Sequence, residues 1–479
     1  LTAALTASAV LVLGYAGLDA ADLAPGLLTT RPVPPPPPTE TPGTRTLPVV
    51  PQPTPSPSVR MPLGSLADES SAPSPAGVGK ALAPVLRLPA LQDAALVVRD
   101  GQSGTVLLDQ GGDELRIPAS TTKLLSAAAV GQVFAPDDTL TTEVRQGAAP
   151  DEIVLVAGGD TLIGAGKGDP DAVAGRAGLA DLADQVAKAL RDKGIRSVKL
   201  ALDESYAFGA PYAPTWGESF PGLGITGAVA MLGLSSERAV LNKPGPSDPA
   251  GSTQEAFGEL LAKRGIKVSL TERDAPRAGS KPPASVSEPT VPVVLGMVES
   301  APVRDQMALA LTESDNALTE ILARQAAFRD GAGTDFDEVG DWVVQKVASL
   351  GVATDGVTLS DASGLSRENR VTGDLLADVL VLGYDGQHPV LRTALDGMPI
   401  GGLSGTLDDR FDTETTEGAA GRARAKTGTL TGANSLAGSV VDDDGRLLVF
   451  VGLVAEAPTL EARAALDRFV TALAACGCR

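Results

Sequence analysis

Histidine is almost missing from this 479-residue sequence: His388 stands alone, cysteine is confined to Cys476 and Cys478, and aromatic residues amount to only 3%. One imidazole and one cysteine pair cannot furnish a multi-His zinc or iron site, a cysteine-rich cluster or a disulfide framework. A Ser-His-Asp triad would rest wholly on His388. Positive charge is also short, 39 Lys+Arg against 59 Asp+Glu, and the resulting net charge of −20 repels phosphate backbones and anionic membrane surfaces. No nucleic-acid partner, metal or cofactor is therefore expected, and the chemistry has to run without imidazole. What the chain does have is length beyond one ordinary domain and 43% hydrophobic residues, ample for a sizeable core.

Residues Leu1 to Gly17, LTAALTASAVLVLGYAG, carry no charge. A spanning helix needs roughly 20 apolar residues and a signal h-region about 7–15, so residues 1–18 read as a membrane anchor, with a signal segment as the alternative. Residues 19–90 include PVPPPPPTETPGTRTLPVVPQPTPSPS, where proline fixes φ and removes backbone donors, and read as a disordered polyproline-rich spacer. Anchor and spacer together describe a folded part held outside a membrane, an extracytoplasmic protein whether anchored or secreted.

From Leu91 the pattern becomes globular. AALVVRDGQSGTVLLDQ reads as a hairpin, and PASTTKLLSAAAVGQVF starts a buried helix near Ser120. The far end mirrors this with a hairpin from NSLAGSVV and RLLVFVGLVA, followed by the amphipathic PTLEARAALDRFVTALAA. Hairpins and helices from both ends of a chain commonly share one sheet, which predicts an α+β, three-layer α/β/α domain over 91–142 and 285–479. Between them, 143–284 alternates strand-like and helical stretches and reads as an α/β insertion domain.

Three short motifs carry the chemistry. Ser120-Thr121-Thr122-Lys123 sits at a helix start, where residues three apart share a face and the Lys ammonium reaches the Ser hydroxyl. A serine needs a base, and a lysine serves when burial depresses its pKa. Ser314-Asp315-Asn316 heads another helix; its plain reading is an N-cap, its functional one a proton relay from Ser314 beside a substrate-binding amide. Lys426-Thr427-Gly428-Thr429 should lie on a strand bordering the site, adding a cation, two hydroxyls and a close backbone approach at Gly428. Each triplet alone is weak, but together and in this order they are the motif set of serine β-lactamases and penicillin-binding proteins.

Ser314 lies almost two hundred residues beyond Ser120, more than a single-domain β-lactamase allows. With PASTTKLLSAAAV, AGGDTLIG, LDESYAFGAPYAPTW, LSDASGLSRENRVT and MPIGGLSGTLDDRF, the chain resembles the low-molecular-weight class C penicillin-binding proteins, the penicillin-binding protein 4-like D-alanyl-D-alanine carboxypeptidase/endopeptidase family. The resemblance implies a β-lactamase/transpeptidase-like fold with a helical subdomain, and peptidoglycan stem peptides as substrate. It implies that Ser120 forms the acyl-enzyme, Lys123 takes its proton, and Ser314, Asn316 and Lys426 complete the catalytic set. Thr427, Gly428 and Thr429 would bind substrate, the backbone N–H groups of Ser120 and Thr429 would form the oxyanion hole, and β-lactams would acylate Ser120 as covalent inhibitors. Asp203 and Arg367 match positions that contact the ammonium and carboxylate of the stem diamino acid; turn-capping and a structural ion pair are their plain alternatives. Asp160 and Asp361 read as turn residues, His388 as a surface-loop residue, and the Cys476-Gly-Cys478 pair as one whose mutual disulfide would be strained. Two other functions fit the same residues: a β-lactamase or esterase on the same site, and a non-catalytic cell-wall-binding protein.

Overall fold

The computed structural model describes residues 72–271 and 293–478. The anchor expected over 1–18 and the spacer up to residue 71 lie outside the described residues; among those described, no helix is long and apolar enough to cross a membrane.

The two ends of the chain build one antiparallel sheet. Its strands are β1 (Ala95–Asp100), β2 (Val106–Gln110), β8 (Ala423–Leu430), β9 (Ala433–Val441) and β10 (Leu447–Ala455), in the order β2-β1-β10-β9-β8. The central strands read as unbroken apolar runs because both faces are covered. Ala95, Val97, Val449 and Val451 face a helical core, whereas Leu96, Val98, Leu448 and Phe450 face the C-terminal helix Thr459–Ala474. The helical side includes Thr122–Val130, Val303–Glu313, Asn316–Arg329, Phe336–Ser349 and Gly373–Tyr384. The three-layer α/β/α arrangement expected from the sequence is thus present.

The spacer expected to run to residue 90 ends earlier. Pro75–Leu82 is a helix, started by the Ser74 side chain accepting from Gly77 N and by proline at its first turn. Val78 and Leu82 are fully buried with Leu91 against the sheet. Ser74 N donates to Cys478 O at 2.7 Å, so the two ends of the described fold are tied together. Cys476 and Cys478, for which one intervening residue argued against pairing, form a disulfide buried in this same cluster.

The insertion is larger than the expected 143–284. Its mixed sheet runs β6-β5-β4-β3-β7, made of β3 (Thr141–Gln146), β4 (Glu152–Val156), β5 (Ser197–Asp203), β6 (Lys267–Leu270) and β7 (Val294–Glu299). The returning strand β7, expected in the catalytic domain, pairs antiparallel with β3 and belongs to the insertion. Helices Leu179–Asp192 and Pro249–Lys263 are the crossovers linking the parallel strands β4, β5 and β6.

Replacing Leu82 by Ala is expected to cost about 2–5 kcal/mol of unfolding free energy, the usual range for a fully buried leucine. Denaturant melts of the purified chain read this directly, and an unchanged midpoint would place Pro75–Leu82 outside the cooperative unit.

Candidate active site

The chain enters the Ser120 helix through a tight turn. Ala119 has φ 48, a left-handed conformation that costs a residue with a Cβ on the order of 1–3 kcal/mol. The turn is held by Thr121 Oγ1 donating to Pro118 O at 2.7 Å and Ser435 Oγ of β9 donating to the same carbonyl at 2.6 Å. One short helical turn, Ala119–Thr121, then presents Ser120 to a cavity of about 240 Å³.

Lys123 lies beneath it, fully buried. Its Nζ donates to Ser120 Oγ at 3.2 Å, Asn316 Oδ1 at 2.5 Å and Ser363 O at 2.7 Å. All three acceptors are formally neutral. The nearest carboxylates, Asp361, Glu320 and Asp315, pull the pKa up only through space, and burial outweighs them, lowering the ammonium to about 8.

Each of these carboxylates is turned to another task. Asp361 accepts from Gly364 N, Ser366 N, Asn369 Nδ2 and Trp216 Nε1, and Glu320 accepts from Ala362 N and Ser363 N. Together they shape the turn whose Ser363 carbonyl meets Lys123. Asp361 is thus a turn residue as expected, but a buried one on which the site leans. Burial and the nearby Asp361 push Glu320 upward in pKa. Asp160 is also buried in its turn, where it accepts from Leu162 N and is raised to about 7 by desolvation.

In the second motif the cap is Asp315, not Ser314. The Asp315 side chain accepts from Leu318 N, while Ser314 ends the preceding helix in a left-handed conformation, φ 56. Its hydroxyl is free of capping duty and accepts from Lys426 Nζ at 2.9 Å. Asn316 Nδ2 donates to Ile225 O at 2.7 Å, which leaves its Oδ1 facing Lys123. Arg238, a residue that no sequence signal singled out, reaches over from the insertion to bond Asp315 at 2.5 Å and Glu313 at 2.6 Å. Its own pKa is raised by those two carboxylates, so it clamps the loop as a permanent cation.

The third motif lies on the edge strand β8, as expected. Alternation sends Thr427 and Thr429 into the cavity and Lys426 and Gly428 to the other side. Lys426 is fully buried; desolvation first, and Lys123 second, hold its pKa well below the usual lysine value. Thr427 Oγ1 shares a 2.7 Å hydrogen bond with Thr406 Oγ1. Gly428, expected to allow a close backbone approach and to bind substrate, lets the strand close on the Ser120 turn: a Cβ there would lie 2.9 Å from Ser120 N and 2.1 Å from Ser435 Oγ.

Ser120, Ser314, Asn316, Thr427 and Thr429 therefore line one cavity, with Lys123 and Lys426 buried beneath it. Asp203 and Arg367 do not line it. Asp203 accepts from Ser205 N at the end of β5, and Arg367 donates to Thr431 O in the β8–β9 turn. His388 lies half-buried at the head of helix Pro389–Asp396, 3.8 Å from Asp385.

Residues 78–220 and 223–473 match the D-Ala-D-Ala carboxypeptidase 3 (S13) family. The chain belongs to this serine peptidase family. Carboxypeptidase DacB of Mycolicibacterium smegmatis is 34% identical over 416 residues, covering 85% of this chain and 86% of the relative. The crystal structure of penicillin binding protein 4 from Haemophilus influenzae superposes with a TM-score of 0.61 at 18% identity, over 82% of this chain and 97% of that one. A structure of the same protein complexed with a β-lactam gives 0.55 at 20% identity, over 82% and 98%. The penicillin-binding protein 4-like, β-lactamase/transpeptidase-type fold expected from the motifs is therefore the fold of this S13 chain.

Gly428→Ala in this S13 chain should slow acylation by β-lactams about 100-fold or more, because a displacement of roughly 1 Å at a reacting group can cost that much. Stopped-flow acylation by a reporter β-lactam reads it, and a wild-type rate would mean that β8 does not set the position of Ser120.

Proposed function

We propose that Ser120 is the nucleophile with which this serine-type D-alanyl-D-alanine carboxypeptidase removes the last D-alanine of a peptidoglycan stem peptide. One observation carries the reading: a fully buried lysine amine 3.2 Å from the Ser120 hydroxyl that, among the described residues, touches no carboxylate. In its neutral form Lys123 Nζ takes the Ser120 proton as Oγ adds to the carbonyl carbon between the two D-alanines. The backbone N–H groups of Ser120 and Thr429 are the donors proposed for the resulting oxyanion. Ser314, hydrogen-bonded to Lys426, relays to the departing amine the proton that Lys123 has taken up, as the C–N bond breaks and an ester is left on Ser120. Water attacks that ester, the stem peptide leaves as a free acid, and Ser120 regains its proton.

Cross-linked peptides present a different leaving amine on the same kind of carbonyl, so DD-endopeptidase action would use the same acyl-enzyme. A β-lactam ring offers the same attack with a leaving group that stays tethered, which supports covalent inhibition at Ser120. The proposed place of work is outside the cell membrane, facing the wall polymer.

Incubation with a stem pentapeptide should release D-alanine, and Ser120→Ala should abolish both this release and labelling by a fluorescent penicillin. Rapid turnover of the penicillin in place of a persistent label would favour a β-lactamase, and fragment binding without turnover a wall-binding protein. The acylation rate should climb about tenfold per pH unit below a midpoint near 8 and level off above it, since only neutral Lys123 accepts the proton. A rise that continues to pH 10 would show that the group taking the proton keeps an ordinary lysine pKa, and a rate flat across about pH 6 to 10 would remove Lys123 as the base.

A further inference from the structure

The cavity in front of Ser120 has one wall that the three motifs do not supply. Arg463, in the first turns of the C-terminal helix Thr459–Ala474, lines it beside Thr427 and Thr429. Its Nη2 donates to Thr429 Oγ1 at 3.2 Å. A second arginine, Arg410, lines the same cavity but is buried and committed: it forms a two-point pair with Asp467 and also donates to the Arg463 carbonyl. Asp467 stands one turn beyond Arg463 on the same helix, where it could have neutralised Arg463. Arg410 takes up that carboxylate instead. Among the described residues Arg463 forms no ion pair, and its side chain stays exposed.

The buried lysines make a weaker anion anchor. Lys426 Nζ donates to Ser314 Oγ and Thr427 O, and burial first, with Lys123 second, disfavours its charged form. A guanidinium is always charged and offers a planar fork that matches a carboxylate. Thr429 lies next to Gly428, whose backbone abuts Ser120 N, so a group held between Thr429 and Arg463 lies close to the reacting serine.

We propose that Arg463, steadied by Thr429 Oγ1, binds the carboxylate of the residue that leaves from the scissile bond, and so sets the preference of the site for substrates with a free carboxylate there. This deepens, and rests on, the carboxypeptidase reading.

The test compares the full chain with Arg463→Ala and Arg463→Lys on two pairs of probes. One pair is a D-Ala-D-Ala peptide and its C-terminal amide; the other is benzylpenicillin and its methyl ester. Arg463→Ala should lose about 10- to 100-fold in kcat/KM on the acid peptide and in the acylation rate by benzylpenicillin, the usual worth of a charged hydrogen bond. The amide and the ester should change by less than about twofold, and Arg463→Lys should recover part of the loss. Equal losses on charged and neutral probes would make Arg463 a merely structural residue, and undiminished rates on the acids would remove it from the site; either outcome overturns the proposal. Failure of the parent reading looks different: the wild type would release no D-alanine while benzylpenicillin still labelled Ser120, and the penicillin pair would still decide the role of Arg463.

Discussion

Two lysine amines of the site are kept dry and, among the described residues, away from any touching carboxylate, and the proposed chemistry depends on it. A lysine paired with Asp or Glu would hold its proton firmly and be useless as a base near neutral pH. Here Lys123 meets a hydroxyl, an amide oxygen and a carbonyl, and Lys426 meets a hydroxyl and a carbonyl. Depressing Lys123 from 10.5 to about 8 disfavours its charged form by on the order of 3 kcal/mol. The sign follows by linkage: below pH 8 the fold carries this penalty in full, and it is relieved as pH rises from about 8 to 10.5. With Lys123 as the proposed base, function and stability are opposed at this residue, and the surrounding structure has to absorb the difference.

The insertion domain supplies much of that support. Arg238 holds Asp315 and Glu313, the Ile225 carbonyl orients Asn316, and Trp216 Nε1 donates to Asp361 at 2.8 Å. Each contact acts one bond away from Lys123 or Ser314 and leaves the reacting atoms untouched. Without the Ile225 acceptor the Asn316 amide could rotate and offer Lys123 a donor in place of an oxygen. Without Arg238 the cap Asp315 would be a half-compensated buried charge beside the relay serine. The long separation between the first two motifs is therefore more than a lengthened loop, because the inserted chain returns to brace the second motif.

The three triplets were legible because each encodes its geometry locally: helical spacing joins Ser120 to Lys123, and strand alternation separates Thr427 and Thr429 from Lys426. The sheet was legible because apolar runs recur at both ends of the chain. What could not be read were contacts made across the fold. Arg238 sits in SSERAV with no pattern around it, and Arg463 looks like any polar position on an amphipathic helix. Strand β7 falls in the catalytic span by sequence but pairs with β3, because a short apolar strand does not announce its partner. The spacer boundary was missed for a different reason. Ser74 and Pro75 are a recognisable helix start, but the proline-rich stretch before them masked it.

A division of labour among the cations follows from the same physics. Proton transfer, the role proposed here for the lysines, needs groups that can lose charge, and Lys123 and Lys426 are both buried where charge is costly. Holding an anion needs a group that cannot lose charge, and that group has to stay near water. Arg463, proposed for that task, lies on an exposed helix face, while Arg410 behind it pairs with Asp467 and donates to the Arg463 carbonyl. In a chain of net charge −20, a guanidinium at the cavity mouth that forms no ion pair among the described residues is an exception to the surrounding field. In the proposed role it gives an anionic substrate a local attraction that the protein as a whole does not, so recognition there would be short-ranged and geometric, not the result of long-range steering.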